Sequence, residues 1–470
     1  MRTLLVILYA ATCGAQTCPA GYESGTATLA ILLVDSNSNT VFSVTQSGVS
    51  STLVGGSGYT DGTAASAKFS SPRTIAVSKD QKTAIVSDQV LYGKNYVLRR
   101  IDLSTRSVST FAGHIYTLTD SSSANVDGVG TAATFYAITN IQFGPDGNTL
   151  YVYNSAFSLV RSITYPQAAV STIIGNVNSP YGMTDGILGS GGAIYPGPAR
   201  ISPDGTYFLY ANSDYCNVRK LNISTNRIQT VAGSVSGVAA VMYCGCADGV
   251  GTAATFNQPY LPVFAPDGQY AYVIDLGNKG IRRINMATFQ VSFFIGGCTA
   301  NVLGQDGIGA AVSAKFNDLA ITEDGLLMFA TQFGTSGIRK IVISTATVTT
   351  IDAARTVSSS YYLALYTIPP ACTPCASGSF SLNGSTCSVC AIGSYCKNTS
   401  SQVACTPGAL ICNVYRLVKP QILDASIIYD PSIIFTPGSG VPTLLHTLPI
   451  TTVDLHRRGQ HLSQLPLVVP

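Results

Sequence analysis

The chain has 470 residues, 46% of them hydrophobic and only 10% charged, with a net charge of +3 and 45 glycines. That length exceeds one ordinary domain. The balance excludes a highly charged disordered chain, and it excludes a protein that binds nucleic acid or anionic lipid through bulk charge.

The N-terminus places Arg2 before an apolar run from Leu4 to Ala11 and small residues up to Ala15. A basic start, a short apolar core and a small-residue cleavage site make a secretory signal peptide over 1–15. The apolar run is too short to span a bilayer, and no later run reaches about 18 apolar residues. Residues 16–30 read as a linker.

From 31 to 368 the sequence repeats. DGVGTAATF occurs at Asp127–Phe135 and again at Asp248–Phe256, with looser copies starting at Asp61, Asp185 and Asp306. A second marker follows in constant phase: KDQ at Lys79, PDG at Pro145, Pro203 and Pro266, EDG at Glu323. A third is a short run ending in Gly55, Gly113, Gly175, Gly233 and Gly296. Each unit holds four runs of β-type composition, called here a, b, c and d. The Asp-Gly turn between a and b suits a tight hairpin. Five units are complete. The N-terminus supplies a further b, c and d, from Ile31, Thr40 and Ser51, but no a. One orphan strand, YYLALYT from Tyr361, supplies it. The pattern predicts an all-β, six-bladed β-propeller of four-stranded blades, closed by a C-terminal innermost strand in the N-terminal blade. Closure removes exposed sheet ends.

The order of apolar strand, PDG, LYV-D, IRKI, VSTVAG and DG-G-AA-F resembles the NHL-repeat propellers, over about Ile31 to Thr367. It departs after Asp185, where GGAIYPG around Tyr195 replaces the Ala-x-Phe element.

Residues found in every blade are read as scaffold. Phe69, Phe135, Phe256 and Phe316 are expected between blades. Asp35, Asp88 and Asp275 end b strands, and Arg99, Arg219, Arg282 and Arg339 lie on c strands, which suits structural charge pairing. The alternative is a central ring of these Asp residues binding calcium, which needs six to eight converging oxygens; a calcium lactonase using Glu, Asn and Asp would draw on Asn140 and Asp318, which begin a strands. Otherwise no cofactor or metal is expected.

Strands alternate in direction, so d-to-a connectors and b-to-c loops share one face. That face carries long loops over 88–96, 114–126, 176–184 and 234–247, holding Tyr92, Tyr96, Tyr116, Tyr181 and Tyr243. Tyrosine amid Ser, Gly and Asn suits a recognition surface, and these five are the candidate binding residues. Cys216, Cys244, Cys246 and Cys298 fall on the same face. They are expected to form two disulfides: Cys216 with Cys244 or Cys246, and the other of these with Cys298.

Cys18 and seven cysteines from 372 to 412 remain: Cys372, Cys375, Cys387, Cys390, Cys396, Cys405 and Cys412. Seven is odd, so a bond from Cys18 into a cysteine-rich module over 369–412 is expected. CTPC and CSVC could hold zinc, but behind a signal peptide disulfides are favoured. The run CxxCxxGSF…CxxCxxGSYC resembles the ephrin-receptor-like cysteine-rich repeats of cell-surface proteins. Residues 413–470 read as a poorly ordered tail. Asn222, Asn383 and Asn398 are candidate glycosylation sites.

The propeller has one histidine, His114, which excludes a histidine-based zinc site, and no nucleophile elbow, phosphate loop or HExxH appears. The chain is therefore expected to be secreted or on the extracellular surface and to act as a binding or adhesion module for a protein or glycan. It is not expected to be an enzyme, to bind nucleic acid or to span a membrane. A calcium-dependent hydrolase or lactonase is the alternative.

Overall fold

The computed structural model describes residues 28–90, 95–114, 125–154, 159–175, 184–188, 198–235, 244–298, 304–332, 337–351 and 363–368. It gives the backbone alone for 22–24, 191–192, 362, 372–374, 379–380 and 388–389.

Six sheets, antiparallel through their four main strands, follow one another along the chain. Blade 1 is the split one. Its innermost strand is Tyr362–Ile368, followed outward by Thr28–Asp35, Thr40–Thr45 and Ser50–Gly55. The late strand pairs with the early one over seven positions, from Thr28↔Ile368 to Val34↔Tyr362. Blade 2 starts at Pro72–Val77, blade 3 at Ile138–Phe143, blade 4 at Ala199–Ile201, blade 5 at Pro259–Phe264 and blade 6 at Phe316–Ile321. The first strand begins at Thr28, so the last three positions of the expected linker belong to the propeller.

Alternation along each strand builds the core. In a strand successive side chains point to opposite faces. Ala30, Leu32 and Val34 therefore pack against Ile75, Ala84 and Val86 of blade 2. Ile31 and Leu33 pack against Phe329 and Ile338 of blade 6. Four further clusters join blades 2 and 3, 3 and 4, 4 and 5, and 5 and 6. Every blade thus shares an apolar layer with both neighbours, and the six-bladed ring is closed.

The connectors explain the repeated DG element. After strand d the chain crosses to the outer edge of the next blade. There Gly128–Val129 pairs with Ala169–Ile174, and Gly249–Val250 with Gln290–Ile295, as short fifth strands. The chain then turns back through one 3-10 turn, such as Gly130–Ala132. Phe135 is buried between blades 2 and 3 before strand a begins. Phe69, Phe256 and Phe316 are likewise fully buried. At the departure after Asp185, Gly186–Leu188 still pairs with strand d, and Gly191–Gly192 pairs parallel with Gly186–Leu188.

A second unit groups 17–24 with 372–470. Within it Tyr22–Ser24 pairs antiparallel with Cys372–Pro374, and Ser379–Phe380 with Ser388–Val389. No helix among the described residues is long and apolar enough to cross a membrane.

Candidate binding face

The two faces of the propeller are built differently. On one, the a-to-b turns are tight and stack in series. Gly205 has φ +72°, a conformation that favours glycine. A Cβ there would lie 3.3 Å from Pro145 of the preceding turn. Gly268 meets Pro203, and Gly325 meets Pro266, in the same way. Lys79 Nζ donates to the Pro145 carbonyl at 2.8 Å, joining the first of these turns to the second.

The opposite face is cross-linked. Cys216, in the b-to-c loop of blade 4, bonds Cys244 with Cα atoms 5.4 Å apart. Cys246 bonds Cys298 with a Cα separation of 5.8 Å. Both separations suit an ordinary disulfide. The sequence left open which of Cys244 and Cys246 takes Cys216; here it is Cys244. Gly245, between the two bridges, donates its amide to the Phe256 carbonyl and accepts from Asn278 Nδ2, each at 2.8 Å. The b-to-c loops of blades 4 and 5 and two d-to-a connectors are thereby chained together on one face.

Of the tyrosines read as binding candidates, Tyr92, Tyr116, Tyr181 and Tyr243 lie outside the described residues. Tyr96 is corrected. It lies within strand Asn95–Asp102, paired with Gln89 and Phe135, and is 9% exposed in the core between blades 2 and 3. Nothing is described of the side chains of Cys18 and the seven cysteines from Cys372 to Cys412, nor of Asn383 and Asn398.

The charges on b and c strands are scaffold. Arg99 Nη1 lies 3.3 Å from Asp88, and Arg282 Nη1 lies 3.1 Å from Asp275, with all four side chains fully buried. Burial pushes the Asp88 carboxyl up to about 6, against the Ser71 and Ser70 amides and Arg99, which act to lower it. Asp275 is also raised, burial again being the largest cause. Asp35 serves its own turn, accepting from the Asn37 amide and the Ser38 hydroxyl.

A connector acid for each arginine went unread in the sequence; for Arg99 and Arg282 it is a second one. Arg99, Arg161, Arg219, Arg282 and Arg339 each reach the DG aspartate of the connector: Asp61, Asp127, Asp185, Asp248 and Asp306, at 2.6–3.0 Å. The other oxygen of each carboxylate accepts a strand-d amide, as from Thr110, Thr172, Thr230, Phe293 and Thr350. The DG element therefore pins the fifth strand to the blade. Its constant phase ahead of the arginine was the available signal.

At the start of strands a, Asn140 and Asp318, on which a calcium lactonase would draw, already have partners. Asn140 Nδ2 donates to the Ala199 carbonyl at 3.0 Å. Asp318 lies 3.5 Å from Arg200 Nη2 and accepts the Leu319 and Leu363 amides at 2.9 Å each. Burial raises the Asp318 carboxyl to about 6, with Arg200 the main opposing influence. Gln142 Oε1 caps the Ile201 amide of the next blade. Among the described residues no three His, Cys, Asp or Glu side chains are grouped to hold a metal ion.

No model of a known protein family matches the sequence, and no curated protein does. Solved structures resemble the chain in outline. A protein of unknown function from Bacteroides thetaiotaomicron is 14% identical, with a TM-score of 0.46 over 73% of this chain and 88% of its own. An auxiliary nutrient binding protein from the same organism is 12% identical, with a TM-score of 0.42 over 69% and 64%. TolB from Acinetobacter baumannii is 10% identical, with a TM-score of 0.43 over 73% of this chain and 67% of its own. Likenesses this distant assign no function to the chain.

Proposed function

We propose that the chain is a secreted or cell-surface binding protein, an NHL-type propeller followed by an ephrin-receptor-like cysteine-rich module. It recognises an extracellular protein or glycan through the long-loop face. The observation that carries this reading is the pair of disulfides across blades 4 to 6. Disulfides persist in oxidising compartments, in keeping with the signal-like N-terminus. They are confined, among the described residues, to one face of the ring. Stiffening loops before binding lowers the ordering cost of recognition, whereas among the described residues the opposite face carries short turns and no disulfide.

The test is capture. The secreted full chain is applied to a glycan array and to surface-labelled proteins of cultured cells. A partner should be retained by the native chain and weakened at least tenfold in a Cys246→Ser, Cys298→Ser variant. Alanine at Tyr92, Tyr116, Tyr181 and Tyr243 should weaken it further. Capture untouched by all these changes would move recognition to another surface.

A further inference from the structure

Blade 4 carries a half-open hollow on its outer hairpin, away from the disulfide-linked face. It holds about 180 Å³ and is lined by Lys220, Asn222, Thr225, Arg227 and Gln229. No carboxylate lines it. The volume lies below the about 300–1,000 Å³ typical of drug-sized ligand sites, so it suits a unit no larger than one sugar. Lys220 is fixed at its wall, with Nζ 3.8 Å over the Tyr207 ring.

Asn222 begins an Asn-Ile-Ser triplet and sits at the c-to-d turn. Its Oδ1 is fully used: it accepts from the Ser224 hydroxyl at 2.9 Å, the Thr225 amide at 3.0 Å and the Thr225 hydroxyl at 2.9 Å. Its Nδ2 has no hydrogen-bond partner among the described residues. The turn therefore needs only the oxygen of this side chain, and the nitrogen is left at the cavity. Blade 2 makes the same turn with a carboxylate, Asp102, which accepts from Ser104 and Thr105. Blade 5 makes it with Asn285, which accepts from the Ala287 and Thr288 amides. There the third residue is alanine, so blade 5 has the same asparagine in the same turn without the acceptor triplet.

We infer that Asn222 carries an N-linked glycan whose first sugar lies in this cavity, against Lys220, Arg227 and Gln229. Attachment at Asn-x-Ser/Thr adds a bulky, solubilising group to a surface. In the transfer Nδ2 attacks the anomeric carbon of a lipid-linked glycosyl pyrophosphate. The N–C bond forms as the C–O bond to pyrophosphate breaks, and Nδ2 gives up one proton to a base. The amide is otherwise unchanged, so the turn keeps its oxygen. A glycan here would shield the short-turn side of blade 4 and leave the disulfide-linked face open. The inference rests on the extracellular reading, because the donor lies in the secretory pathway.

The test is peptide mapping of the full chain secreted from eukaryotic cells, after peptide N-glycosidase treatment in heavy-oxygen water. Asn222 should appear as labelled aspartate in most molecules and Asn285 should not. Ser224→Ala should abolish the label at 222 and leave the melting temperature unchanged, since Thr225 still caps the turn. On the folded protein, release at Asn222 should be at least tenfold slower than after denaturation. Arg227→Ala should recover most of that difference. A secreted chain with bare Asn222 overturns the inference and leaves the extracellular reading standing; a bare chain held in the cytosol overturns both. Equal release from folded and denatured protein overturns the seating of the sugar.

Discussion

Blades 5 and 1 have the same four strands but are held differently. In blade 5 the buried Arg282 joins Asp275 of strand b to Asp248 of the connector. In blade 1 the matching position, marked by the same register shift between strands c and d, is Phe42. Blade 5 is made from continuous sequence, and its risk is an outer connector that peels away. Blade 1 joins two stretches more than three hundred positions apart, and its risk is the entropy of closing that loop. The first is met by a buried ion pair, the second by a long ladder and an apolar layer shared with blade 6.

The sharpest way to break this contrast is Arg282→Met. It strips a partner from the fully buried Asp275, and removing one member of a buried pair costs about 3–5 kcal/mol. Phe42→Met, an apolar exchange of similar size, should cost under about 1.5 kcal/mol. Urea midpoints of the two variants measure the difference; similar losses would mean the arginine is not the element that distinguishes the blades.

Next comes the seam itself. The Leu363 amide in the closing strand donates to Asp318 Oδ2 of blade 6 at 2.9 Å. Leu363→Pro removes that donor and leaves a buried carboxylate oxygen unpaired, at a cost of about 3 kcal/mol. Leu365→Pro one turn of the pleat further should test whether the loss is specific to the seam contact. Faster proteolysis of the Leu363 variant is the expected signature.

Much of this architecture was legible in the sequence because blades repeat. The missing strand a at the N-terminus and the orphan around Leu363 implied closure, and the phase of each cysteine placed Cys216, Cys244, Cys246 and Cys298 on one face. Pairing across blades was harder. Asp248 lies 34 positions before Arg282 and meets it only because the connector first travels to the outer edge of the blade, a path that local patterns do not encode. Tyr96 misled for a similar reason. It stands beside Gly93 and Asn95, but pairing with Phe135, a residue of the returning connector, extends the strand through it and buries the ring. Asp318 and Asn140 were read as channel groups by position; that Asn140 caps the next blade, and that Asp318 meets Arg200 from two blades away, depends on side-chain reach.

Acidity bears on both kinds of closure, more gently. Asp88, in an arginine pair, and Asp318, at the seam, are both raised to about 6, whereas an unfolded Asp titrates near 3.9. Between these values the folded state binds more protons than the unfolded one. Each group's stabilising contribution is therefore full below about pH 4 and lost as pH rises through about 6. Stability should rise by about 1 kcal/mol per group on going from pH 7 to pH 5. Asp318→Asn should remove about half of that slope in denaturation curves. An unchanged slope would place the titration elsewhere.

The smallest effect tests whether both acids of an arginine matter equally. Asp248 is half exposed, and water screens its contact with Arg282 even at 2.7 Å. Asp248→Asn keeps an acceptor for the Phe293 amide and should cost under about 1 kcal/mol. Its consequence is local: hydrogen exchange should quicken along Gly249–Val250, where the fifth strand meets Val291 and Gln290, while the inner strands stay protected. If the inner strands of blade 5 also open, the connector is part of the cooperative core and the division between outer clasp and inner ring fails.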